Sequence, residues 1–136
     1  PVPVARRMLE WLAPGGLLIV EVPNAGGLGA ELFADAWAGL ELPRHLSHFT
    51  PTTLEAVVNK AGGRVVWTWH QAKPRTYLWS LSAWLRDRGF DGFAKATELR
   101  PVYGVLKLGL EVLMPLVRAA GRGESIRIGA VRNLPT

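Results

Sequence analysis

The stretch Ala13-Pro14-Gly15-Gly16-Leu17-Leu18-Ile19-Val20-Glu21-Val22-Pro23-Asn24 decides the fold class. Residues 17–22 are aliphatic except for Glu21 and lack polar alternation, the pattern of a strand buried on both faces of a parallel sheet. Before it, Val4, Ala5, Met8, Leu9 and Leu12 recur at helical spacing until Pro14-Gly15-Gly16 stops them. Helix, tight turn and buried strand make half of an α/β unit.

Working outward, Pro23 to Gly27 reads as a loop and residues 28–37 regain helical character. Residues 40–49 carry no period and read as an ordered loop. Thr50-Pro51 then opens a helix: Thr can cap free backbone N–H groups and Pro is pre-shaped for the first helical position. Leu54, Val57, Val58 and Ala61 form its buried stripe and Gly62-Gly63 ends it. Arg64 to His70 is rich in β-branched and aromatic residues and predicts a strand. Residues 77–85 and 102–119 are apolar helical patterns separated by a polar stretch, and Glu124 to Arg132 alternates as a closing strand. The second apolar pattern has the length of a membrane span, but Lys107, Glu111 and Arg118 interrupt it and Pro115 would kink it.

Sixteen Lys and Arg against eleven Asp and Glu give the 136-residue chain a charge of +5, which favours acidic partners. The basic residues are spread as pairs and singles without a nucleic-acid motif, so no specific nucleic-acid partner is expected. Cysteine is absent, which excludes disulfides and thiol chemistry. No cluster has metal-ligand spacing, so no metal is expected. Pro1-Val2-Pro3-Val4 is neither a signal peptide nor an initiator sequence, as expected of a piece of a longer chain.

Leu12 to Asn24 resembles the "L-x-P-G-G-x-L-x-I-x-V-P-N" segment around the fifth strand of class I S-adenosylmethionine-dependent methyltransferases. Trp37-Ala38-Gly39-Leu40-Glu41-Leu42-Pro43-Arg44-His45-Leu46-Ser47-His48-Phe49-Thr50-Pro51-Thr52-Thr53-Leu54, followed by Ala61-Gly62, is similar to the continuation found in a bacterial subgroup, the type 11, 12 or 23 methyltransferases. Gly121 to Ile128 resembles the hairpin entering the family's last strand, and Gly63 departs from the family's usual Phe.

The resemblance implies an α/β fold, the C-terminal portion of a Rossmann-like class I methyltransferase: its last three strands, the final one antiparallel, with flanking helices and a helical insertion. Residues 1–76 would be the C-terminal half of the core, 77–120 the insertion on the substrate side, and 121–136 the closing strand and tail. It further implies S-adenosylmethionine as cofactor, a small-molecule or lipid-linked methyl acceptor, and a cytoplasmic enzyme with peripheral membrane contact as an option. The family's glycine-rich cofactor turn and ribose-binding acid are absent from this sequence. Asn24-Ala25-Gly26-Gly27-Leu28-Gly29 lacks the third glycine at the needed spacing and reads as a connection into a helix, so the chain alone is expected to be inactive.

Within the resemblance, His45 and His48 are the catalytic candidates, since imidazole can take a proton from an attacking hydroxyl or amine. For either one the competing role is to fix the loop by a backbone hydrogen bond. Arg44 and Trp37 are the substrate-binding candidates, as an anion holder and a pocket wall. Pro23 and Asn24, at the carboxyl end of the buried strand, are the cofactor-side candidates. Trp11, Trp67 and Trp69 are expected in the core, whereas Trp79 and Trp84, near Arg86 and Arg88, suit either a buried helix or a membrane surface. The rival reading is a non-catalytic helical, basic module that binds a membrane surface or a partner chain. A sheet cut at its middle would also expose an edge, which predicts a homo-oligomer.

Overall fold

A computed structural model describes residues 1–133. The elements are α1 (Val2–Glu10), β1 (Leu18–Pro23), α2 (Leu28–Phe33), α3 (Pro51–Lys60), β2 (Gly63–Gln71), α4 (Pro74–Asp87), α5 (Asp91–Glu98), α6 (Arg100–Ala119) and β3 (Ser125–Arg132). The last residues of the expected tail, 134–136, lie outside the described part. The fold is α/β, with one three-stranded sheet ordered β1-β3-β2.

β3 is the central strand and runs antiparallel to both neighbours, from Leu18↔Ala130 to Pro23↔Ser125 on one side and from Gly63↔Arg132 to Gln71↔Ser125 on the other. β1 and β2 therefore point the same way without pairing. The closing strand is antiparallel as expected, but β1 is not the doubly buried parallel strand its composition predicts. Leu18, Val20 and Val22 pack into the core while Ile19 and Glu21 face outward. An aliphatic run fixes that a strand forms; which neighbours cover its two faces is a tertiary matter.

One face of the sheet carries the main core. Ile126, Ile128 and Ala130 of β3 are fully buried against Leu54 and Val58 of α3, each isoleucine contributing about 1.5–3 kcal/mol of burial. α3 is set by a reciprocal capping box: Thr53 N–H donates to the Thr50 hydroxyl and Thr50 N–H to the Thr53 hydroxyl. α1 lies beside α3 on this face, and its Leu9 fills the space over Gly63. A Cβ at Gly63 would sit 2.7 Å from Leu9 Cδ1, so the glycine is what admits the leucine. Where the family resemblance predicts an aromatic, this chain packs Leu9 instead.

The opposite face is open. Ile19, Trp67 and Trp69 are exposed there, joined by the Glu21–Arg127 ion pair. Trp67 lies across the strand from Gly129, at a register shift in β2 between Val65 and Trp67, and a Cβ at Gly129 would enter its ring. Trp11 is exposed as well. The expected core role of these three tryptophans is thus overturned: alternation puts Trp67 and Trp69 on the face opposite α1 and α3, which among the described residues only the end of α6 approaches, beside Trp69.

A helical layer of α4, α5 and α6 forms the second cluster, in which Ala72, Tyr77 and Met114 meet Leu28, Phe33, Leu110 and Val117. It begins at Pro74 rather than residue 77, and the stretch read as a polar spacer contains α5, whose Ala94 is fully buried. No helix among the described residues is long and apolar enough to cross a membrane.

Candidate functional site

β1 ends at Pro23, and there the loop between α2 and α3, the start of α4 and the start of β3 converge around a cavity of about 660 Å³. Its walls include Pro23, Gly39, His45, Lys73, Trp79 and Glu124. The position, at the carboxyl end of a strand and beneath an irregular loop, is where α/β sheets characteristically receive ligands.

The loop is held by its own backbone and two imidazoles. His45 Nδ1 lies 3.2 Å from the Gly39 carbonyl and His48 Nε2 lies 3.2 Å from the Leu40 carbonyl. A carbonyl only accepts, so His45 donates from Nδ1 and, when neutral, keeps the lone pair of Nε2 for a proton. His45 lines the cavity; His48 does not, and its ring serves to fix the loop. Glu41, also on the wall, holds a positive φ of 41° and accepts the backbone N–H groups of Arg44 and His45. A non-glycine residue in that region stores strain of about 1–3 kcal/mol, which clusters at ligand sites.

Arg44 projects into solvent and pairs with Glu41 at 2.6 Å, outside the cavity wall. Trp37 is buried against Gly29 and Gly39 and is a support behind the wall rather than part of it. Asn24 is fully buried: its Nδ2 donates to the Gly123 carbonyl at 2.8 Å and its Oδ1 accepts from Gly26 N–H at 3.0 Å. Those bonds, with Asn24 N–H on the Glu124 carbonyl at 2.8 Å, clasp the end of β1 to the start of β3. Of the two residues expected on the cofactor side, Pro23 lines the cavity, whereas the side chain of Asn24 is taken up by this clasp. Gly27 lies so close to the Gly123 carbonyl that a Cβ would approach to 2.6 Å, so packing alone accounts for a glycine at this position.

Glu124 is the residue that pattern reading passed over. The residue is 6% exposed, Oε1 accepts from Lys73 N–H, and the buried Oε2 has no protein partner. Burial holds its pKa above the usual carboxylate value, opposed by backbone hydrogen bonds, including that from Lys73. Behind it the Tyr77 hydroxyl is also buried and unpartnered, its pKa pushed up to about 12 by burial and then by the charge of Glu124. A buried carboxyl with an unpartnered oxygen beside a cavity is a candidate for proton transfer or ligand binding. The available signal was a lone acid between Gly123 and a buried strand. Glu21, on the cavity rim, is the contrasting carboxylate: its hydrogen bonds from Arg127 hold its pKa below the usual value.

Among the described residues no group of three or more His, Cys, Asp or Glu is placed to hold a metal. No protein-family model matches the chain, and no curated protein matches it.

Proposed function

We propose that this chain is the acceptor-side portion of a Rossmann-like class I methyltransferase, serving methyl transfer from S-adenosylmethionine to a small-molecule or lipid-linked acceptor. The observation that carries the reading is the antiparallel β3 inserted between the like-directed β1 and β2, with the Pro43-Arg44-His45 loop over the carboxyl end of β1. The open face with Ile19, Trp67 and Trp69 supports it too, since a doubly wound sheet carries helices on both faces and this chain supplies one layer.

Glu21, Glu41 and Glu124 against Lys73 leave the cavity wall with an excess of carboxyls, which is compatible with a cationic sulfonium, although Arg127 and Arg44 already pair with Glu21 and Glu41. When bound, S-adenosylmethionine would supply an electrophilic methyl group. This chain's part is to seat the acceptor against Pro23 and Gly39 and to receive its proton. His45, with Nδ1 fixed on Gly39, is positioned to take that proton at Nε2, and Glu124 is the second candidate. General-base help of this kind is worth about 10²–10⁴-fold, the remainder coming from orientation.

Calorimetric titration with S-adenosylmethionine tests the proposal, on this chain and on the chain joined to the residues encoded upstream. The extended protein should bind and this chain should not; an extended protein that ignores the cofactor refutes the reading.

A further inference from the structure

We infer that the helical layer of α4–α6 docks on an anionic lipid surface, with the outer face of α6 inserted among the headgroups. On α6 the side chains of Leu110, Met114 and Val117 pack inward onto Tyr77 and its neighbours. The opposite side is apolar and bare: Val105, Leu108, Val112 and Leu116 are 73%, 70%, 71% and 69% exposed, continued by Val102 and Leu113. At 100° per residue these six fall within an arc of about 140°, and from Val102 to Leu116 they run about 21 Å along the axis. Charged side chains on this helix are confined to one flank, where Arg100, Lys107 and Arg118 outnumber Glu111. A helix that is apolar on its inward and outward sides alike has a second partner besides its own core.

The charge distribution selects that partner. Between Lys73 and Arg122 there are nine basic and four acidic residues, and in the remainder of the chain seven of each. The whole net charge of +5 therefore resides in the segment that carries the bare ridge. Apolar residues in a segment of net positive charge fit a bilayer with anionic headgroups, where each contribution adds to the other. Two aromatic–arginine stacks lie in the same layer, Arg75 over Trp79 at 4.3 Å and Arg88 over Trp84 at 4.0 Å, and Trp69 shares a groove with Pro115 and Arg118 at the end of α6. Tryptophan and arginine together favour the headgroup level. Since no described helix is long and apolar enough to cross a membrane, α6 would lie on the surface.

Co-sedimentation with phosphatidylcholine vesicles, with and without about 30% phosphatidylglycerol, tests the inference independently of any cofactor or methyl acceptor. The chain should bind the anionic vesicles at least about tenfold more strongly than the neutral ones, and lose that preference at about 0.5 M salt. The double substitution Leu108→Glu with Val112→Glu should reduce binding at least about tenfold while circular dichroism stays unchanged, because both side chains are outside the core. Val105→Ser with Leu116→Ser provides a second, uncharged ridge variant with the same expected direction. Absence of vesicle binding, binding indifferent to both ridge variants, or a dimer that the ridge variants dissociate would overturn the inference; the last would assign the ridge to a second copy.

Discussion

Replacing Asn24 by Ala removes two hydrogen bonds from the clasp between β1 and β3, and the two losses differ in cost. Gly123 is buried, so its carbonyl, deprived of the Nδ2 donor, faces a desolvation penalty of about 1–3 kcal/mol. Gly26 is exposed, so its N–H recovers water and forfeits only about 0.5–1.5 kcal/mol. The expected deficit is about 2–4 kcal/mol, a large share of the roughly 5–15 kcal/mol that stabilises a domain. Asn24→Asp retains the acceptor for Gly26 but sets a second oxygen against the Gly123 carbonyl, so at neutral pH it should be the worse variant. Burial raises the pKa of the introduced carboxyl, so its deficit is complete above that raised value and shrinks as pH falls, when the protonated group can donate to Gly123. Urea unfolding of the three proteins at pH 7 and pH 4.5 reads both effects. The reasoning is refuted if Asn24→Ala stays within about 0.5 kcal/mol of the parent, or if Asn24→Asp shows no recovery in acid. An Asn24→Ala protein of unchanged stability that, in the extended chain, no longer binds S-adenosylmethionine would return the residue to the cofactor.

Two further outcomes follow from the same structure. Glu124 has a folded-state pKa raised by burial, so its ionisation costs stability that begins to be lost as pH rises through the unfolded value and is fully lost above the folded one. Glu124→Gln should therefore melt higher than the parent at pH 8 and converge with it near pH 4, as followed by circular dichroism; the opposite order at pH 8 contradicts a desolvated carboxyl. The outer edge of β1 has no strand partner from Leu18 to Val22 among the described residues, and the proposed homo-oligomer would form there. Light scattering that finds only monomer at high micromolar concentration excludes it.

Local chemistry written in the sequence survives folding with little change. Thr50-Pro51 caps α3 as its residue types require, Gly62 closes it at positive φ, and the aliphatic and β-branched runs become β1 and β2. The loop carrying His45 was also legible, because an irregular segment between two recognisable elements can be located without knowing what it touches.

What the sequence could not decide is which side of each element finds a neighbour. Leu17 to Val22 and the Trp67–Trp69 pair are apolar enough for burial on both faces, yet among the described residues α1 and α3 cover one face and only the end of α6 reaches the edge of the other, so Ile19, Trp67 and Trp69 remain exposed. The site divides in the same way. His45 and Pro23 reach the cavity while Arg44 turns to solvent and Trp37 and Asn24 turn inward, because contacts with Gly39, Glu41 and Gly123 set the directions of these side chains, and residue spacing within a motif does not show which contacts form. Glu124 gains its character only when β3 slots between β1 and β2 and α4 closes over it: the sequence supplies a carboxyl, and tertiary burial supplies the raised pKa and the unpartnered oxygen.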